Sequence, residues 1–74
     1  MDVQTPTRDE EAERLRQLIS ARFGGRVRDI LVVVRGGGFA LQGRTCSFHL
    51  KQMVQETVIA ATASRVVANE IAVD

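Results

Sequence analysis

Cys46 and His49 stand in a C-x-x-H spacing, which can offer a thiolate and an imidazole to one metal ion or pair a nucleophile with a base. Structural zinc takes four ligands, and the chain holds no other cysteine or histidine. A site within one chain would need carboxylates to complete it, and a shared site would need a second chain. A Cys–His nucleophile also requires an orienting group and a substrate pocket, and 74 residues leave little volume for one. The expectation is a semi-buried thiol beside a surface imidazole, with no metal, no cofactor and no enzymatic activity.

A second stretch, VVVRGGGFALQG, sets Gly36, Gly37 and Gly38 after an apolar run, as phosphate-cradling loops do. A dinucleotide fingerprint needs its glycines between a strand and a helix, so that phosphate meets the helix N-terminus. Here the glycines lead into Phe39-Ala40-Leu41, which reads as a strand, and the Gly-Lys-Ser/Thr of a Walker loop is absent. The run is therefore read as a structural hairpin turn, with at least one glycine at positive φ.

The third group with chemical potential is basic. Net charge is +1, unevenly placed. Five acids and two bases fall in residues 1–14, and eight bases and four acids in the rest. Arg22, Arg26, Arg28 and Arg35 flank the first helix end and the first strand, and they are the candidate contacts for an anion or a lipid headgroup. Nucleic acid is disfavoured. No Gly-x-x-Gly loop joins two helices, and no exposed strand aromatics are at hand to stack bases.

These residues must be positioned by a small fold. A chain of 74 residues is one domain, near the size at which a single core is marginal. Its aromatics are three phenylalanines, so Val, Ile, Leu and Ala must fill the core. A lone cysteine excludes an internal disulfide. The opening MDVQTPTRDEEAE has no apolar core, and the apolar run Ile30–Val34 is too short to span a bilayer. With the free thiol, this points to the cytoplasm; a domain excised from a bacterial envelope protein would look the same.

Residues 1–6 read as a flexible tail and 7–74 as a single domain. Thr7 and Glu10 form a capping box for a first helix whose apolar stripe is Ala12, Leu15, Ile19 and Phe23, ended by Gly24-Gly25. Residues 27–35 read as a strand with Ile30, Val32 and Val34 on one face and Leu31 and Val33 on the other. Residues 39–45 alternate as a second strand. Ser47 caps a second helix with the stripe Leu50, Met53, Val54, Thr57, Val58 and Ala61. Residues 65–73 read as a third strand, setting Val67, Asn69, Ile71 and Val73 against Val66, Ala68, Glu70 and Ala72. The order α-β-β-α-β gives a two-layer α/β (α+β) sandwich: a three-stranded mixed sheet with two helices on one face and a right-handed crossover into the last strand.

With Val32 and Val34, Gly36-Gly37, Leu41-Gln42-Gly43, Ser47 with Lys51, and the closing Val67-Ala68-Asn69-Glu70-Ile71-Ala72-Val73, the chain resembles the BON domain, the family of bacterial osmotically induced and nodulation proteins. Leu41, Gly43, Asn69, Ile71 and Val73 are the family-pattern positions. The resemblance covers roughly residues 12–73. It departs at Ala63-Ser64, where the family has Gly-Val, at Thr57, which the family makes apolar, and at Leu31 and Val33, where it is commonly polar. The resemblance implies a non-catalytic binding module, with association with phospholipid membranes as a family expectation.

Leu31 and Val33 are the least expected feature. A sheet covered on one side leaves them, beside Ala40, as an apolar patch, and these three residues are the candidate partner interface. The expectation is an interaction module that engages a protein partner or an anionic phospholipid surface, or else a small homo-oligomeric structural protein, with a homodimer favoured.

Overall fold

The computed structural model describes residues 7–74; the expected tail, residues 1–6, lies outside them. Thr7 opens the first helix, α1 (Arg8–Phe23), through both halves of the capping box. Its hydroxyl accepts from the Glu10 N–H at 3.1 Å and its own N–H donates to Glu10 Oε1 at 2.8 Å. The expected stripe Ala12, Leu15, Ile19 and Phe23 is the buried face. Gly24 ends the helix at φ 58°, ψ −137°, a conformation open to glycine, and a single 3-10 turn, Gly24–Arg26, leads into the sheet.

β1 (Val27–Arg35) and β2 (Gly38–Thr45) form the antiparallel hairpin. Only Gly36 and Gly37 separate them, at φ 54° and 80°, the two positive values that a type I′ turn demands. α2 (Phe48–Ala61) then crosses to β3 (Val66–Val73), which lies parallel to β2, giving the sheet order β1-β2-β3. Ser47 caps α2 as expected, its hydroxyl accepting from the Leu50 N–H.

Both helices lie on one face. Phe39, Leu41 and Ile71 from the sheet meet Leu15, Ile19, Val54 and Val58 from the helices in one core. Each such side chain contributes roughly 1.5–3 kcal/mol on burial. The helices run antiparallel: Glu11 accepts from the Thr62 hydroxyl and Arg14 donates to the Ala61 carbonyl, tying the start of α1 to the end of α2. The buried Thr45 hydroxyl donates to the Arg26 carbonyl at 2.9 Å, and no buried side-chain polar atom among the described residues lacks a partner.

Strict alternation fails in two places. In β1 the register shifts between Arg28 and Leu31, and Asp29 takes φ 55°. This bulge turns both Val27 and Ile30, three residues apart, into the core. In β3 the register shifts between the pairs Phe39–Val66 and Ala40–Ala68. Val67 is absorbed there, so Val66 packs against the core and Val67 is exposed, the reverse of the expected pattern.

The third glycine has a different task from the first two. Gly38 is buried, and a Cβ there would overlap the Arg65 carbonyl oxygen and stand 2.9 Å from Val67 Cγ1. The same carbonyl accepts from the Phe39 N–H at 2.9 Å, so the chain entering β3 sits directly on β2. Gly38→Ala should therefore destabilise the domain by about 1–3 kcal/mol through overpacking. Urea unfolding of that variant checks this; an unchanged midpoint would show that the approach to β3 relaxes freely.

Candidate functional site

The sheet face away from the helices is built in rows. Arg28, Arg44 and Ala72 form one row, Leu31, Gln42 and Glu70 the next, and Val33, Ala40 and Ala68 a third. Arg28 and Arg44 are cross-strand partners, a like-charge pairing that costs stability unless compensated. Asp74 compensates it, with carboxylate oxygens 3.6 Å from Arg28 and 3.5 Å from Arg44.

Arg35 ends β1 opposite Gly38, yet its guanidinium reaches Glu70 on β3 at 2.8 Å, and Gln42 donates to the same carboxylate at 3.1 Å. To make that span its side chain must cross β2 at the level of Ala40. The hydrogen bond from Arg35, then that from Gln42, hold the Glu70 carboxyl below its ordinary value of 4.5. This strap and the neighbouring strands explain a correction: Ala40 is fully buried and offers nothing to a partner of the folded chain. On the sheet the large exposed apolar side chains are Leu31, 52% exposed, and Val34 on β1, with Val33 half-buried beside them, and Val67 on β3; Val34 was expected on the covered face.

The four expected anion contacts do not converge. Arg28 and Arg35 are seven residues apart on β1, about 23 Å at 3.3 Å per residue. Arg35 is committed to Glu70 and Arg28 faces Asp74. Arg26 folds back over the Phe23 ring, 5.9 Å from its centroid, and donates to the Phe23 and Arg22 carbonyls, where it complements the C-terminal end of the α1 dipole. Arg22 lines a shallow groove of about 380 Å³ between the helices, with Leu18, Met53, Glu56 and Ala60. Arg22 and Glu56 are the ionisable groups on its wall.

Cys46 is exposed, as is His49; the thiol is thus more open than the semi-buried one expected. Among the described residues no group of three or more His, Cys, Asp or Glu could hold a metal ion. Among those residues, too, no helix is long and apolar enough to cross a membrane.

The resemblance positions carry structural work. Leu41 and Ile71 are core residues, and Val73 is half-buried opposite Thr45. Gly43 leaves room for the β1 bulge: a Cβ there would lie 3.0 Å from the Arg28 carbonyl and 3.3 Å from the Ile30 Cα. Asn69 joins β3 to α2, donating at 3.1 Å to both the Lys51 carbonyl and Gln55 Oε1, while its own Oδ1 accepts from the Ile71 N–H. Two exposed apolar residues of α2, Phe48 and Ile59, escaped notice in the sequence. Phe48, in the first turn of α2, is 75% exposed; its place just after a capping serine was the available signal. In comparison with known proteins, no family model, no curated protein and no solved structure matches the chain.

The strap is open to direct measurement. Because the folded-state carboxyl value of Glu70 is lowered, its contribution to stability is present above the unfolded value and is lost as pH falls through the lowered folded value. The Glu70 carboxyl carbon, followed by NMR, should titrate below 4.5 and move back toward it in Arg35→Ala. A midpoint unmoved by that substitution would dissolve the strap.

Proposed function

We propose that this chain is a non-catalytic interaction module of the BON type that works by self-association through the β1 side of its sheet. The observation that supports this most is the apolar exposure of Leu31 on an edge strand. β1 has only β2 beside it, so its other flank presents unpaired backbone groups, which invite another strand. Val33 extends the same apolar strip.

A second reading, an anionic phospholipid surface, is favoured by Phe48, an exposed aromatic within four residues of Arg44 and Lys51. An aromatic ring beside cationic side chains suits the boundary between headgroups and acyl chains.

One experiment weighs both. Sedimentation equilibrium should show a wild-type dimer and a monomeric, still folded Leu31→Lys/Val33→Thr double variant, since the core keeps Val27, Ile30 and Val32. A wild type that stays monomeric at high concentration, or a double variant that unfolds instead of dissociating, would overturn self-association. A monomer that floats with acidic vesicles at low salt and releases them at high salt would move the binding surface to the Phe48 end.

A further inference from the structure

We infer that Arg28 and Arg44, side by side on the outer face of the sheet, bind a phosphate monoester in its dianionic form, which displaces Asp74 from between them. The inference goes beyond self-association and does not depend on it, because this row lies on the face of the sheet and not along the free flank of β1.

Backbone pairing brings the two arginines together. Arg28 and Arg44 are register partners, and direct partners on antiparallel strands hold their Cβ atoms about 4.5–5.5 Å apart. Their chain neighbours Val27 and Thr45 are buried, so both guanidiniums project from the opposite, open face, where each side chain is more than half exposed. Ala72 completes the row on β3, and its small, exposed side chain leaves space beside Arg44. Arg28 was among the anion contacts expected from the sequence. Its true neighbour, Arg44, was not, since the pairing joins distant parts of the chain.

Asp74 leaves this pair incompletely satisfied. Two cations face one carboxylate, and the contacts of 3.6 Å and 3.5 Å are longer than a charge-assisted hydrogen bond of about 2.7–2.9 Å. The strap on the same face shows a satisfied arginine: Arg35 stands 2.8 Å from Glu70, one cation to one anion. Asp29, next to Arg28 in the bulge, is exposed and enters no ion pair among the described residues, so it does not supply the missing charge.

Charge and geometry name the ligand class. A guanidinium offers a planar fork that matches two oxygens of a phosphate, and two forks side by side match a group with three terminal oxygens. A free monoanion would only equal the carboxylate it replaces, and Asp74 has the advantage of being tethered at high effective concentration. A dianion neutralises both arginines at once. A phosphate monoester is a dianion above its second pKa of about 6 and carries three strong acceptor oxygens.

Titration followed by NMR tests the site, at about pH 7.5 and constant ionic strength, with glycerol phosphate as the soluble monoester and dimethyl phosphate as the monoanionic diester. The backbone amide signals of Arg28, Arg44 and Ala72 should move with glycerol phosphate and saturate on the order of 1 mM, the strength of two charge-assisted contacts. Dimethyl phosphate should move them little. Arg28→Gln and Arg44→Gln, which relieve a like-charge contact and so leave the fold intact, should each weaken the response roughly tenfold or more. Asp74→Asn should strengthen it roughly two- to fivefold, the range of an exposed ion pair. The same monoester on a lipid is read by flotation with phosphatidylcholine vesicles containing phosphatidic acid. Binding there without a response to glycerol phosphate, lost in both arginine variants, supports the site and assigns its ligand to a membrane. No response to either monoester, or a response that persists in both arginine variants, would overturn the site. An equal response to the diester would overturn the dianion. An affinity unchanged or weakened by Asp74→Asn would overturn the displacement.

Discussion

Two helices can cover one face of a three-stranded sheet, and this limit shapes the other face strand by strand. The middle strand solves it by small side chains and a strap: Phe39 and Leu41 enter the core, while Ala40 between them is sealed from the opposite side, where Arg35 crosses β2 to reach Glu70. β3 meets it in part with the small side chains of Ala68 and Ala72 and with Asp74 beside the facing arginines, although Val67 stays exposed. β1 does not solve it within the chain. Leu31 remains half exposed at a free edge, and β-branched residues flank it.

The glycines and Asn69 follow from the same thinness. With a single layer of helices, the connections must run close to the sheet. Gly38 admits the Arg65 carbonyl, Gly43 admits the backbone of the β1 bulge, and Asn69 fastens the crossover helix to the strand it delivers. None of these contacts requires a ligand. The glycine run that invites comparison with a phosphate loop is accounted for by two positive φ values and one close backbone approach.

Much of this architecture was legible in the residues because local rules agreed with one another. The capping box at Thr7, the stripe from Ala12 to Phe23, the turn at Gly36-Gly37 and the cap at Ser47 each follow from a spacing of three or four residues, and each stands where it was expected. What escaped depends on pairs distant in sequence. The bulge at Asp29 exists because Gly43 lies opposite it, and Val66 turns inward because the register against Phe39 shifts there; period-two alternation along one strand carries neither fact. The burial of Ala40 was hidden for the same reason, since the side chain that crosses its strand begins on β1 and ends on β3. The arginines looked like one basic group in the sequence, but the length of β1 separates them and carboxylates or helix carbonyls engage three.

The central claim is that the outward backbone groups of β1 find a strand of a second copy. Amide hydrogen exchange at Val32 and Val34, followed by NMR over a range of protein concentrations, tests it most directly. Their N–H groups point away from β2, so in a monomer they meet water, whereas that of Val33 is already engaged in the hairpin. The account predicts exchange at Val32 and Val34 that slows steeply as concentration rises, with Val33 protected throughout. Exchange at Val32 and Val34 that stays fast and independent of concentration would contradict it.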